Sequence, residues 1–577
     1  MAAIITDDFR RNSVEFLIND IRDKQAASTG DVVTDDDSTK DTATEYEYFI
    51  GIGKSDAWEN DSAGNAETAI NFSAPIPTGS IDESEEVLDN LIAAVGIADT
   101  SNSKVYYLIP RNNWTSGRRY KRWNKNDPDM FNLSTVGGVT YYPSYTINQN
   151  KIYVCLDNGS SITNGFTPST NTYVPQPSTS APTGDATNAT SREPVQFSGE
   201  GYVWAYVADL DTTSKFNTDQ FISITQEATI RTGGSVANGQ SDADAATGGI
   251  VYGFEIINSG VSTNISSTGS TGHLELVGIN SSSGPDSGST TTYQLTYETD
   301  SAGKVSVVKF TSGTTPANFV HDFERGSVRI KPGQSGQFTT APVIKPLIAP
   351  KNGFGYTPTQ DLPAFYVGIA SDLVGNIEGE ASTALTYRQI SLIRNIDRDL
   401  TGTTGSGSSQ DASGQGTYDN IEVYDGLRRV CIDDAISLAD VQAGDIIKDV
   451  STTVDATDGT EPTPALAFVD YVDDTGDGTN KFIYYHQNNS NKINQQEFET
   501  SSAKIQILQN DGVTQRGSHS SITVATSGSS TATGNEAKGF QNPEAKPRTG
   551  EVMFLENRKP IQRASAQTEE IKLVIQF

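Results

Sequence analysis

Residues 550–577 read GEVMFLENRKPIQRASAQTEEIKLVIQF. Within this stretch EVMFLEN (551–557) alternates, and in EIKLVIQF (570–577) the residues Ile571, Leu573, Ile575 and Phe577 recur at every second position. Successive side chains of a strand point to opposite faces, so a period of two predicts half-buried strands. A chain ending on such a strand is expected to have its terminus tied into a sheet.

The pattern extends upstream. EYEYFIGIGKSDAW (45–58), KVYYLIP (104–110), KIYVCLD (151–157) and GEGYVWAYVADL (199–210) are rich in β-branched and aromatic residues. So are YGFEII (252–257), HLELVGI (273–279), YQLTYET (293–299), KVSVVKF (304–310), LTYRQISLIRNI (385–396), IEVYDG (421–426), ALAFVDYV (465–472), KFIYYHQ (481–487) and KIQIL (504–508). Gly, Ser and Thr fill the intervals, as turns require. The expectation is a mainly β, multidomain chain of antiparallel sheets and sandwich-like domains with a few peripheral helices.

Two helices are predicted. Residues 7–23 place Val14, Leu17, Ile18 and Ile21 on one face. Residues 80–95 offer Ser80 as cap, Glu83 as its reciprocal partner, and a stripe of Val87, Leu88, Leu91, Ile92 and Val95.

The chain has 577 residues, which predicts several domains, and a formal net charge of −31 from 41 Lys and Arg against 72 Asp and Glu. Such a field repels nucleic acid phosphates and anionic membranes, so no nucleic acid partner is expected. The acidic runs at Asp35-Asp36-Asp37, Asp433-Asp434 and Asp473-Asp474 read as solvated loops. Residues 402–416, GTTGSGSSQDASGQG, read as a low-complexity linker. The two cysteines, Cys155 and Cys431, make no disulfide framework. The start shows no leader pattern, and no run is long and apolar enough for a membrane span.

No motif carries an enzymatic reading. The four histidines, His273, His321, His486 and His519, lack paired metal spacing. DATDGTE (455–461) and DDTGDGTN (473–480) are acidic but do not fit the twelve-residue calcium loop. GIGKSD (51–56) lacks the spacing of a phosphate loop and reads as a glycine turn at a strand end. No catalytic residue, metal or cofactor is expected. The exception to the acidic surface is RNNWTSGRRYKRW (111–123), in which Arg111, Arg118, Arg119 and Arg122 lie among Trp114 and Trp123. Such a cluster could bind nucleic acid, but Arg and aromatic side chains are favoured at interface hot spots, so this island reads first as a docking site for an acidic neighbour protein, or as a solvated loop.

Several stretches resemble, in order, the baseplate wedge subunit of T4-type contractile-tailed phages known as the gene product 8 family. IITDDFRRNSVEFLINDI (4–21) looks like its N-terminal helix, FIGIGKSDAW (49–58) is similar to "FITFGRSEPW", and APIPTGSIDE (74–83) to a proline-rich helix start. YLIPRNNW (107–114) resembles "AVIPRRDW", GEGYVWAYVADL (199–210) resembles "GDGYVWEYLFEI", and TYRQISLIRNI (386–396) resembles "GFRQISIITNP". The family's "MENRPPI" corresponds to residues 555–561, with Leu555 for Met and Lys559 for the first Pro, and its "QTEEI" to residues 567–571. The resemblance implies a non-enzymatic virion protein of the tail baseplate, assembled in the host cytoplasm. It further implies a homodimer that sits beside other wedge proteins and passes on the rearrangement that triggers sheath contraction.

On this reading 1–224 is the N-terminal part of a core, 346–400 its middle and 546–577 its closing strands. Residues 225–345 form an inserted Gly/Ser/Thr-rich β domain, and 401–545 a second inserted or elaborated β region. Trp204, Arg388, Glu556, Asn557 and Arg558 are expected to hold structure or an interface. The alternative is a host-recognition, adhesin-type tail subunit that uses the inserted β domain.

Overall fold

The computed structural model describes residues 5–28, 47–58, 72–97, 103–124, 127–158, 166–167, 172–173, 177–183, 195–196, 202–212, 214–224, 231–232, 235–236, 251–266, 269–280, 290–310, 323–348, 358–373, 385–397, 423–451, 464–474, 480–488, 493, 498, 503–525, 539–541, 543, 545–561 and 569–577. It is mainly β and multidomain, with several antiparallel sheets and little helix, as the period-two runs predict. The linker 402–416, the runs at 35–37 and 455–461, and His321 lie outside the described residues.

The chain divides into two units. One comprises 1–15, 106–368 and 576–577; the other comprises 16–105 and 369–575. In the first unit a four-stranded sheet orders Val305–Phe310, Thr290–Thr299, Ser270–Asn280 and Phe323–Ile330. Its apolar face packs with the pair Val251–Asn258 and Val343–Ile348 around Phe254, Leu274, Leu276, Leu295 and Tyr297. A second four-stranded sheet contains Tyr202–Asp209, Lys151–Asn158 and Tyr145–Asn148. Its core is aromatic: Tyr202 stacks on Trp204 at 5.5 Å, and Tyr120 meets Trp204 edge-on at 5.2 Å. Such ring pairs add to the burial of their area.

In the second unit a five-stranded sheet runs Val423–Asp425, β2 (Leu91–Gly96), β1 (Tyr48–Gly53), Tyr387–Arg394, Glu551–Ile561. All four pairings within it are antiparallel, although the strands come from distant parts of the chain. A seven-stranded sheet orders Ile522–Thr523, Lys504–Leu508, Ile446–Asp449, Leu466–Asp473, Asn480–His486, Arg428–Asp433, Phe540–Gln541. Val430, Ile447, Val469, Ile483 and Ile507 bury one of its faces.

Helix α1 spans Asp7–Ser28, five residues beyond its expected end, and Val14, Leu17, Ile18 and Ile21 are buried as expected. The second helix departs from expectation. Helix α2 covers Ile81–Asp89, Asn90 caps it, and β2 begins at Leu91. Val87 and Leu88 are buried on the helix, but Leu91, Ile92 and Val95 belong to a strand with a paired neighbour on each edge. A continuous apolar run such as LIAAV is compatible with a buried strand or a buried helix, and periodicity cannot separate the two. Ser80 caps as expected, its Oγ accepting from the Glu83 N–H at 3.1 Å. The Glu83 carboxylate reaches past Ser80 to the N–H groups of Thr78 at 2.7 Å and Gly79 at 2.8 Å.

At the centre of the five-stranded sheet, Gly51 faces Ser391 on one side and Ala94 on the other. A Cβ there would lie 2.7 Å from Ile393 Cδ1 and 2.9 Å from Leu91 Cδ1, with Ser391 Oγ closer still. Replacing Gly51 with Ala is expected to cost about 1–3 kcal/mol through overpacking. Urea unfolding of the variant measures this, and an unchanged midpoint would show that the sheet has slack at its centre.

Candidate functional site

The strand β1 stops at Gly53, where a Cβ would lie 2.7 Å from the Asn90 carbonyl. Lys54 then takes a positive φ of 59° and turns the chain, its N–H donating to Asn90 O at 3.0 Å. The turn buries the Lys54 side chain. Its Nζ sits 3.3 Å from Asp56 Oδ1, 3.8 Å from Glu86 Oε1 and 4.9 Å from the centre of the Trp58 ring. Opposite charges and an aromatic face surround an ammonium taken out of water.

The rest of the turn is held from three directions. Arg388 is buried in the neighbouring strand, and its guanidinium donates to the Ser55 carbonyl. The Trp58 indole N–H donates to the Arg558 carbonyl at 3.0 Å. One residue earlier, Asn557 bridges two elements: its Oδ1 accepts from Gln389 Nε2 at 2.9 Å and its Nδ2 donates to Pro75 O at 3.0 Å. Glu556 accepts from Arg558 Nε at 2.8 Å on the exposed side.

On the fourth side lies the seven-stranded sheet. The strand Leu466–Asp473 slips register between Val469 and Tyr471, so Asp470 has no counterpart on its partner strand. A bulge of this kind re-aims the extra side chain. Asp470 Oδ1 thereby meets His486 Nδ1 at 2.7 Å and also accepts from the Ser55 hydroxyl. His486 Nε2 lies 3.4 Å from Asn488 Nδ2, which lies 3.3 Å from Asn90 Oδ1. Asp470, His486, Asn488 and Asn90 are all buried. Burial pushes the His486 imidazolium down and Lys54 adds to this by charge, but Asp470 by charge and hydrogen bond, with Asp56 by charge, offsets both, and the net shift is upward. Ser55 and His486 both end on one carboxylate oxygen, so the imidazole does not stand between serine and aspartate as a base would in a triad. That geometry fixes a carboxylate and does not activate a nucleophile.

No protein-family model and no curated protein sequence matches this chain.

The expected basic island lies in the first unit, on the loop after Ser103–Pro110. Trp123 is buried, with its N–H on Cys155 O at 2.6 Å, and Trp204 is a core residue. Arg122 Nη2 is 3.7 Å from Glu255, and Arg119 pairs with Tyr141 through a short parallel ladder. Arg111, Trp114 and Arg118 are half-buried at the surface. Thus the named residues divide between two places: Arg388, Glu556, Asn557 and Arg558 join the Lys54 turn, and the arginines and tryptophans of 111–123 with Trp204 form a separate cluster. Asp470, and with it the partner of His486, escaped the sequence reading, since a bulge has no reliable signature in an alternating run. The other two described histidines also have partners: His273 meets the Tyr297 hydroxyl at 3.1 Å, and His519 meets Asp440 at 2.8 Å. Asp474 accepts from Leu438 N–H and Lys481, while 475–479 lie outside the described residues.

Two measurements test this junction. Asn557→Ala is expected to lose about 1–3 kcal/mol, because the Gln389 amide and the Pro75 carbonyl both lose a partner; chemical unfolding reads it. His486 should add a pH dependence. Its folded pKa is raised above the ordinary 6.5, so its contribution is full below that value and is lost as pH rises through the folded pKa. The slope is at most about 1.4 kcal/mol per pH unit. Unfolding midpoints from about pH 6 to about pH 9 should fall more steeply for the wild type than for His486→Gln. Parallel curves would show that the imidazole is not charged in this pairing.

Proposed function

We propose that the chain is a structural subunit of a contractile phage tail baseplate wedge, which scaffolds wedge assembly and transmits the rearrangement that triggers sheath contraction. The observation that carries this reading is where the resembling stretches meet. FIGIGKSDAW, APIPTGSIDE, TYRQISLIRNI and the LENRKPI segment are scattered over some five hundred residues of sequence. They are joined through Arg388 to Ser55, Gln389 to Asn557, Asn557 to Pro75 and Trp58 to Arg558. Chance likeness in unrelated segments has no reason to fall on side chains that bond one another.

The chemistry of the junction supports the same reading. Its polar groups end on main-chain carbonyls and on each other, which positions strands. A part that must transmit force benefits from distant segments locked by directional bonds. In this reading the subunit is a homodimer in the virion, beside other wedge proteins.

Light scattering on the purified chain is expected to give twice 61.8 kDa. Antibodies against it should label the plate at the tail end of phage particles by immunogold microscopy. A trimer together with label at fibre tips would overturn the wedge assignment, and so would particles that carry no label.

A further inference from the structure

The loop 111–118 is hydrogen-bonded along its length to neighbouring segments. Trp114 N–H donates to Ile147 O at 2.8 Å, and Ile147 N–H returns to Asn112 O at 2.9 Å. The buried Asn112 amide donates to Tyr145 O at 2.6 Å. Ser178 closes the far end, accepting from Gly117 N–H at 2.6 Å and donating to Arg118 O at 2.8 Å.

Two guanidinium groups are held on this base by neutral acceptors. Arg111 donates through Nε to Asn113 Oδ1 at 3.1 Å, and through Nη1 to Asn217 Oδ1 at 2.7 Å and Thr218 O at 3.0 Å. Arg118 donates through Nη1 to Asn113 O at 3.1 Å and lies 4.2 Å from the centre of the Tyr142 ring. Among the described residues neither forms an ion pair with a carboxylate, and the further side-chain bond of Arg118, to the Tyr120 hydroxyl, is again to a neutral group. Both groups lean on Asn113, which is exposed, so the two forks flank one surface point.

This is a notable placement in a chain that carries 72 acidic and 41 basic residues. A guanidinium stays charged at any ordinary pH, and its planar fork matches a carboxylate. Carbonyl and amide acceptors orient that fork without neutralising it. Holding the side chains in advance lowers the entropic cost of binding.

We propose that Arg111 and Arg118 form a docking site for an acidic protein segment, each guanidinium taking one carboxylate. The site is defined by chemistry that stands whether or not the chain is a wedge subunit. Protein carboxylates fit better than a nucleic acid strand for two reasons. The net charge of −31 opposes a backbone with a charge on every nucleotide far more than a segment with a few acids. The rings at the site are also committed: Arg118 covers Tyr142, and Trp114 is half-buried with its indole N–H on Ser178 Oγ at 3.0 Å, which leaves no open stacking platform for bases.

The test uses the full chain and a fluorescein-labelled oligoglutamate peptide, followed by anisotropy at low salt. Saturable binding that weakens with added salt is expected. Arg111→Gln with Arg118→Gln together should weaken it about tenfold or more, the loss of two charge-assisted contacts. Arg111→Lys with Arg118→Lys keeps the charge and loses the forks, and is expected to fall between; it also serves if the Gln pair does not fold. Absence of wild-type binding, or equal binding by wild type and both variants, would overturn the proposal. Tighter binding of oligothymidine through the same arginines would overturn it in favour of nucleic acid.

Discussion

Gly51 sits on the central strand of the five-stranded sheet, with a paired strand on each edge. Its Cα faces Ser391 of Tyr387–Arg394 and Ala94 of β2, and the space a side chain would fill is held by Ser391, Ile393 and Leu91. That approach lets Tyr387–Arg394 lie flat against β1 and present its other edge to Glu551–Ile561. Closing a sheet across more than three hundred residues costs chain entropy, though the cost grows slowly with loop length. The remedy is directional bonding at the end of the sheet. Lys54, Ser55, Trp58, Arg388, Gln389 and Asn557 gather there, and the bonds from Arg388 to Ser55, Gln389 to Asn557 and Trp58 to Arg558 require distant segments in register.

The same turn reaches the seven-stranded sheet through one aspartate. Asp470 is available because its strand bulges, and it serves Ser55 and His486 together. Two sheets of one unit are therefore linked by a buried polar group rather than by apolar packing alone. Buried networks of this type are costly when broken and help to specify a single arrangement. A subunit that passes on a mechanical rearrangement would gain from such a link, since the two sheets would move as a body.

The two clusters differ in what their cations do. Lys54 is enclosed by Asp56, Glu86 and Trp58, and its charge is spent inside the fold. Arg111 and Arg118 rest on neutral oxygens at the surface, and their charge remains available. In a strongly acidic chain that contrast separates a structural cation from one offered to a partner.

Composition and period-two runs were enough to determine the strand-rich class, the positions of many of the longer strands and the buried face of α1. These depend on local patterns: alternation, branching at Cβ and a helical stripe. Ser80 was legible as a cap because capping is a contact within one turn. The extent of α2 was not, since Leu91, Ile92 and Val95 suit a helix face as well as a strand between two neighbours, and the neighbours came from residues 48–53 and 423–425. Arg388, Asn557 and Arg558 could be singled out in sequence, but their bonding to Ser55, Pro75 and Trp58 depends on pairing across hundreds of residues. The partnership of Asp470 with His486 depends on a bulge that changes one side chain's direction without changing the pattern. Local propensity determined which segments became strands; the register between remote strands, set by packing at Gly51 and by which polar groups could be satisfied, decided which residues met.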